Sequence, residues 1–446
     1  MTRLSSLALL LTLGTAFASF AQQPKLTRDQ QVIADKKKIE KDGFWIYNDF
    51  AKGLAEAKKT GKPLAVVLRC VPCVECVKLD DDLVNTDPRV RPLLDKFVCV
   101  RIISTNGLDM SIFQFDYDQS FATFFLNADG TIYGRFGTRS HRTTWADDVA
   151  IEGLAKALQG ALDLHAGYPK NKEMLAAKKG PAPEVASPEK FESMKGKYAE
   201  KINFEGNVGM SCIHCHQVGD AQRVFYRSQQ KPIPEKILFS YPHPKSLGLI
   251  LDPKEKATVL RIDPGTPAEK WGLQKGDEIL TLAGQPLLSM ADVQWVLHNT
   301  PGEGASLAAH VKRGNGFADI TFKLEKGWRQ RDDYGWRVTS WPQRRMAIGG
   351  LSLETMTAEA RAQEKLPAEG MALRIKAVGN FGAHAAAKNA GFQMGDVIIS
   401  YDGKIDFARE CDLLAYGVNA HKPGEKVAVV VLRKGAKVEL MMPIQE

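Results

Sequence analysis

Seven cysteines set the chemical possibilities of this chain, and five of them fall into two tight clusters. The stretch LRCVPCVECVKL, residues 68–79, puts Cys70, Cys73 and Cys76 at successive three-residue steps, so Cys73 belongs to two overlapping C-x-x-C motifs. Two cysteines one turn apart at a helix start feel the positive end of the helix dipole, which favours thiolate, and they can close a small labile disulfide. The same three thiols could hold a metal, or any two could form a plain structural disulfide. The second cluster, CIHCH at 212–216, is C-x-x-C-H, the attachment sequence of haem c. In that reading Cys212 and Cys215 form thioethers to the two vinyl groups and His216 is an axial ligand of the iron. Met194, Met210 and His243 are the candidates for the opposite ligand, and an open iron would suit a small ligand. A zinc site using the same three side chains with His243 or His214 is the competing reading. Cys99, within FVCVRI, and Cys411 read as buried inert thiols.

The elements that must position these groups follow from the hydrophobic pattern. DFAKGLAEAKKTGK reads as an amphipathic helix closed by Gly61, PLAVVLR as a fully buried strand, and FVCVRII as a second one. ATFFLNADGTIYGRF reads as two strands joined by an Asp-Gly turn, and TWADDVAIEGLAKALQGAL as a closing helix. That order predicts an α/β domain over 43–166 with helices on both faces of one sheet. A Lys-, Ala- and Pro-rich stretch at 170–190 reads as a linker, followed by an irregular segment at 191–245 that carries C-x-x-C-H. The remainder repeats: AEKWGLQKGDEILTLAGQPL at 268–287 matches AAKNAGFQMGDVIISYDGKI at 387–406, with Gly272, Gly276 and Asp277 corresponding to Gly391, Gly395 and Asp396. A repeat of this length is domain-sized and too long for a solenoid unit. Two mainly β domains are expected, at 246–326 and 346–446, joined by a Trp- and Arg-rich connector at 327–345 that reads as a packed strap.

The N-terminus, MTRLSSLALLLTLGTAFASFAQQP, has one arginine, an apolar run and small residues at Ala16, Ala18 and Ala21. That is the layout of a signal peptide spanning 1–21, which predicts a periplasmic or secreted protein in a compartment where disulfides persist. No later segment is long and apolar enough to span a bilayer. Net charge is +8 over 446 residues, and no zinc-finger spacing or aromatic-basic motif accompanies it, so nucleic acid is not an expected partner.

Several stretches carry resemblances to known families. KPLAVV, the C-x-x-C after the strand, DPRV, FVCVRI and FLNADGTIYGRF together resemble the thioredoxin-like fold. The resemblance implies that Cys73 is the attacking thiolate, Cys76 the resolving one and Cys70 an additional thiol. No proline occurs between Pro92 and Pro169, where thioredoxins place one beside the disulfide, which keeps metal binding open. SLGL (246–249) and GGLS (349–352), with the Gly-Asp turns, resemble PDZ domains. That resemblance implies carboxylate-binding loops at Leu247, Gly248 and Leu249 and at Gly350, Leu351 and Ser352. It also implies peptides added to a strand edge, with Val293 and Val296 lining the first groove and ECDLLAYGV the second. No G-x-S-x-G or comparable nucleophile loop accompanies the PDZ-like pair, which excludes a serine protease. The whole order is similar to the thioredoxin/PDZ (seleno)protein family, in which selenocysteine can replace a motif cysteine; here all three are cysteine. The expected protein is an exported thiol–disulfide redox protein with covalent haem c, recruiting protein partners or C-terminal peptides. The alternative is a non-enzymatic PDZ scaffold or redox or haem sensor whose cysteines serve structure or metal binding.

Overall fold

Apolar runs without polar interruption become strands covered on both faces, and the N-terminal sheet is built from such runs. The computed structural model describes residues 26–71, 87–119, 121–141 and 147–446. Helix α1 (Arg28–Asp42) starts with a Thr27–Gln30 capping box. Strand β1 (Ile46–Tyr47) precedes α2 (Phe50–Thr60), which Asp49 caps and Gly61 ends in the left-handed region at φ 70°. β2 (Leu64–Arg69), β3 (Val98–Ile102), β4 (Phe121–Leu126) and β5 (Ile132–Phe136) complete a sheet of order β1-β3-β2-β4-β5. β2 runs parallel to β3 and antiparallel to β4, and the Asp129-Gly130 turn joins β4 to β5 with Gly130 at φ 83°.

Alternate side chains sort to two faces, as a strand period of two requires. Ala65, Val67, Phe121 and Phe125 pack under α3 (Ile151–Ala166) through Leu154, Ala157, Leu158 and Ala161. Leu64, Val66, Leu68, Phe124 and Leu126 face the other way, onto Ala57 of α2 and the rings of Phe113 and Phe115. That second face is completed from far along the chain by Phe191, Met194, Ile213, Val218 and Ala221. Burying such a side chain is worth about 1.5–3 kcal/mol, so the segment expected to stand apart at 191–245 supplies part of the sheet's own core. Its main helix is α4 (Cys215–Ser228).

The stretch expected as a linker, 170–190, is packed rather than free. Lys178 is wholly buried, the Trp295 indole donates to the Ala177 carbonyl at 3.0 Å, and Gln114 donates to the Pro181 carbonyl at 3.0 Å. Its alanines and prolines read as solvated composition, but small side chains also let a backbone lie close against neighbouring elements.

The first β unit contains β6 (Leu249–Leu251) paired with β7 (Val259–Ile262). Its second sheet runs β11-β10-β8-β9, from β8 (Glu278–Leu282), β9 (Gln285–Pro286), β10 (Ala305–Arg313) and β11 (Gly316–Leu324), with helix α5 (Met290–His298). The second unit places α6 (Ser340–Ile348) and α7 (Glu410–Ala420) on one sheet. Its strands, in sheet order, are β12 (Leu351–Thr355), β13 (Leu373–Val378), β14 (Val397–Tyr401), β15 (Lys426–Arg433) and β16 (Ala436–Pro443).

The sequence repeat reappears as one repeated clamp. Asp277 accepts from Gln274 N at 2.8 Å and from Arg313 at 2.8 and 2.7 Å, and Arg313 also donates to the Gly272 carbonyl. Asp396 accepts from Gln393 N at 3.0 Å and from Arg433 at 2.8 and 2.7 Å, and Arg433 donates to the Gly391 carbonyl. In each case a two-pronged guanidinium–carboxylate pair ties the Gly-Asp turn to the hairpin that follows.

Between the units, 327–345 is a packed strap, and three of its arginines engage different partners. Arg329 donates to the Leu297 and Thr300 carbonyls at the end of α5, at 3.1 and 2.6 Å. Arg337 bonds both oxygens of Asp116 at 2.6 and 2.5 Å, and Arg344 pairs with Glu410 at 2.9 and 2.5 Å.

Candidate functional site

The two cysteine clusters meet. β2 carries Cys70 to the end of the sheet, next to Arg69, whose guanidinium pairs with Asp35 of α1. There the Cys70 Sγ lies 3.1 Å from Nδ1 of His214, the residue just before α4. Cys73 and Cys76 lie outside the described residues, as do residues 1–21.

Rigid backbone contacts fix this meeting point. The loop after β3 grips the C-x-x-C-H stretch: Thr105 N and Oγ1 donate to the Ile213 carbonyl at 2.9 and 3.0 Å, and Ile213 N donates to Asn106 Oδ1 at 2.8 Å. Asn106 also donates to the Ser211 carbonyl at 3.0 Å, and His214 N is taken by Gln217 Oε1 at 2.8 Å. Ile213 itself is wholly buried against the sheet. The His214 side chain, one residue along such an anchored stretch, has little freedom to drift.

The electrostatics keep the groups neutral. Burial, then the neighbouring His216 and Arg28, lowers His214 to about 4. At neutral pH its ring is therefore uncharged, and Nδ1 accepts a hydrogen bond from the Cys70 thiol when the ring proton sits on Nε2. Burial, with the Cys70 charge as the second cause, pushes the Cys215 thiol up to about 12. Burial likewise pushes Cys212 up to about 11. His216 stacks on His214 with ring centroids 5.9 Å apart, and its side chain is partly exposed.

Neither metal reading finds its donors arranged. Cys212 is 3% exposed, packs with Val32, Val71, Ile103, Ile202 and Val208, and points its Sγ at the Val208 carbonyl at 3.1 Å. Cys215 packs instead against the sheet cluster of Phe124 and Val218. The two thiols lack a common open face on which a porphyrin could lie. Of the candidate sixth ligands, Met194 is in the sheet core, Met210 is out in solvent and His243 sits 3.4 Å from Asp148. These residues as placed do not fit a covalently held haem, and no step is derived through one. Zinc fares similarly: among the described residues no three His, Cys, Asp or Glu side chains are gathered to hold a metal. Cys99 and Cys411 are buried, and burial raises both thiols.

The two glycine loops differ from open carboxylate sites. Gly248 N donates to the Lys245 carbonyl at 3.0 Å and Gly350 N to the Arg344 carbonyl at 3.0 Å. Leu247, Leu249 and Leu351 are buried, and Ser352 is half-buried. Val293 and Val296 are not groove-lining: every residue of α5 from Met290 to Leu297 is buried. One face of α5 fills its own unit's core, and the other is roofed by the thioredoxin-like part, where Asp292 pairs with Lys178 at 2.9 Å and accepts from Arg135 N at 3.2 Å. In the second unit the Glu410 carboxylate reaches the outer strand β12, with Leu353 N donating to Glu410 Oε1 at 2.7 Å. Gly248 sits at φ 81°, and a Cβ there would come within 2.0 Å of Thr266 Oγ1. Gly248→Ala is therefore expected to lose about 1–3 kcal/mol of stability, read as a lowered midpoint in chemical denaturation.

The thiol end of this site was only partly visible in the sequence. Cys70 stood there as the additional thiol and His214 as a possible zinc ligand, and nothing in the sequence connects two positions 144 residues apart.

Comparison with known proteins bears on both ends of the chain. Residues 45–128 match the thioredoxin-like family, and residues 258–308 match the PDZ domain family. No curated protein matches the chain. Similar solved structures include the HtrA-type protease AlgW with decapeptide, at 20% identity over 31% of this chain and 48% of that one, with a TM-score of 0.21. The HtrA-type protease AlgW with tripeptide is 22% identical over 30% of this chain and 42% of that one, with a TM-score of 0.19. The chain thus spans under half the length of these structures, 48% and 42%. It carries a thioredoxin-like domain and a PDZ domain.

Proposed function

We propose that the protein is an exported thiol–disulfide redox protein that holds its protein partners through its β units. The observation that carries this reading is the seating of Cys70, at the end of a strand in the thioredoxin-like domain, against the neutral imidazole of His214. A thiol beside a proton acceptor can be converted to thiolate at the moment of attack, which is what disulfide exchange needs. Cys73 and Cys76 form the exchanging pair, with Cys73 attacking a partner's disulfide and Cys76 resolving the mixed disulfide. Export follows from the signal-like residues 1–21, and cleavage near Ala21 is its mark. Partners are held by strand addition at the second β unit, where β12 is the outer strand of its sheet, Leu353 N is taken by the Glu410 carboxylate and part of α7 faces solvent.

The test is reduction of a disulfide substrate by the wild type and by Cys73→Ser, with dithiothreitol as the electron source. The variant is expected to lose nearly all turnover. Equal rates would leave the scaffold reading, in which the β units assemble partners and the cysteines serve structure.

A further inference from the structure

Charged side chains taken out of water are as a rule paired, and one in α4 is not. Arg223 is 2% exposed, yet no carboxylate pairs with it among the described residues. Its Nη2 donates to the Ile237 carbonyl at 3.1 Å, and its Nε is buried without a partner. Arg223 lines a cavity of about 110 Å³ where five stretches meet, at 110–118, 181–184, 219–223, 236–241 and 295–299. Phe115, Tyr117, Ile237 and Trp295, all buried, give this cavity an apolar wall. The Trp295 indole N–H is already given to the Ala177 carbonyl and the Tyr117 hydroxyl to the Phe113 carbonyl, so both rings offer carbon alone. His298 lines the same cavity; its Nδ1 accepts from Tyr241 N at 3.2 Å, which puts the ring proton on Nε2. Burial, then the charges of Arg329 and Lys236, hold that ring well below its ordinary value, so it is a neutral donor in a cationic setting. The two acids of the wall are engaged elsewhere. Asp118 accepts from Thr339 N and Oγ1 at 3.0 and 2.6 Å, and the exposed Glu184 accepts from the Tyr226 hydroxyl.

We propose that this cavity binds a small organic acid, with its carboxylate on the Arg223 guanidinium and its short apolar body against Phe115, Ile237 and Trp295. The site lies apart from the cysteines and stands whether or not the redox reading holds. A guanidinium matches a carboxylate closely, since it can grip both oxygens through parallel N–H bonds. A buried charge without a counter-ion is costly, and an anion entering the cavity relieves that cost. Size sets the class of ligand. An apolar cavity of about 150 Å³ admits benzene, so a smaller one suits an acid with a body of about four carbons, too little for a length of peptide. One buried cation beside apolar walls also favours a monocarboxylate over phosphate, whose second charge would meet no buried counter-ion.

Isothermal titration calorimetry of the full chain with sodium isobutyrate is the test. One equivalent is expected to bind. Isobutyramide, which keeps the shape and lacks the charge, is expected to give no saturable heat, and inorganic phosphate to bind at least about tenfold more weakly. Arg223→Gln is expected to weaken isobutyrate about ten- to a hundredfold, as the loss of a charge-assisted hydrogen bond implies. Without ligand, the melting temperature of that variant is expected to hold or rise, because a bare buried cation has been removed. Gln222→Phe leaves the charge in place and fills the cavity from the half-buried position beside it, so it too is expected to abolish binding. Absence of isobutyrate binding to the wild type at millimolar concentration overturns the proposal, and so does equal binding of isobutyramide or phosphate. A lowered melting temperature in Arg223→Gln with binding unchanged assigns the arginine to the fold and overturns the site. Binding unchanged in Gln222→Phe places the ligand elsewhere, and tighter binding of the tripeptide Ala-Ala-Val than of isobutyrate overturns the free acid in favour of a chain end.

Discussion

Arg337→Met is expected to lower the stability of the folded chain by about 3–5 kcal/mol, because it leaves buried carboxylates without their counter-charge. Arg337 is 2% exposed and lies against three acids: Asp116 at 2.5 Å, and Asp118 and Asp332, each at 3.8 Å. It also donates to the Ser240 carbonyl at 2.9 Å. Methionine keeps much of the volume, so the loss reports charge rather than packing. The effect has a pH signature. Burial raises Asp332 to about 6, against the pull of Arg337, and burial also raises Asp116. A carboxyl raised on folding contributes stability that is full below its unfolded value, about 4, and is lost as pH rises through its folded value. Without Arg337 the carboxyls of Asp116 and Asp332 rise further, so the deficit of the variant should be small near pH 4.5 and largest above pH 6. Urea unfolding followed by tryptophan fluorescence at pH 4.5 and 7.5 measures it. Equal losses at both, or a loss under about 1 kcal/mol at the higher pH, would show that these acids are hydrated and need no arginine.

Asp292→Ala is expected to be nearly as costly, and its effect should be local. Asp292 is wholly buried and answers Lys178 at 2.9 Å, Leu288 N at 2.9 Å and Arg135 N at 3.2 Å. Removing it strands an ammonium and two backbone N–H groups in the seam between the thioredoxin-like part and α5. Truncating one partner of a buried pair costs about 3–5 kcal/mol. Burial already lowers Lys178, so in the variant the lysine escapes by giving up its proton, which trims the penalty toward the lower figure. The seam should open at 170–190. Limited proteolysis is expected to cut the variant there while the wild type resists, and adding Lys178→Met should restore resistance. If the variant is cut no faster than the wild type, the seam is held by its apolar contacts instead.

What the sequence disclosed and what it hid divide along physical lines. LAVVLR and VCVRI were legible as strands because both faces of each are buried, which leaves an uninterrupted apolar run. The Gly-Asp turns of the two β units were legible because Gly276 and Gly395 share φ 90° and their aspartates share one arginine clamp. The connector was legible as a strap from its density of Trp and Arg. The burial of α5 was not, since MADVQWVLHN shows the same pattern whether its second face meets water or another domain. Nor was the packing of 170–190, whose alanines and lysines suit solvent equally well. The site itself was half legible: the cysteines announced thiol chemistry, but proximity across 144 residues leaves no trace in local spacing. The haem expectation arose from spacing alone, and spacing does not report that Cys212 is buried behind Val208.

The long reach of the C-x-x-C-H stretch also sets an order of events during synthesis. The strand that ends just before Cys70 leaves the ribosome well before Ile213, Val218 and Ala221, which cover one face of its sheet. At about 5–20 residues per second the gap is on the order of 7–30 s. Through that interval the sheet has one apolar face uncovered and Cys70 has no His214 beside it. The nascent thioredoxin-like part should therefore bind a chaperone until residue 221 has emerged, and Cys70 gains its His214 neighbour only then. The Cys70–His214 contact and completion of the core arrive together.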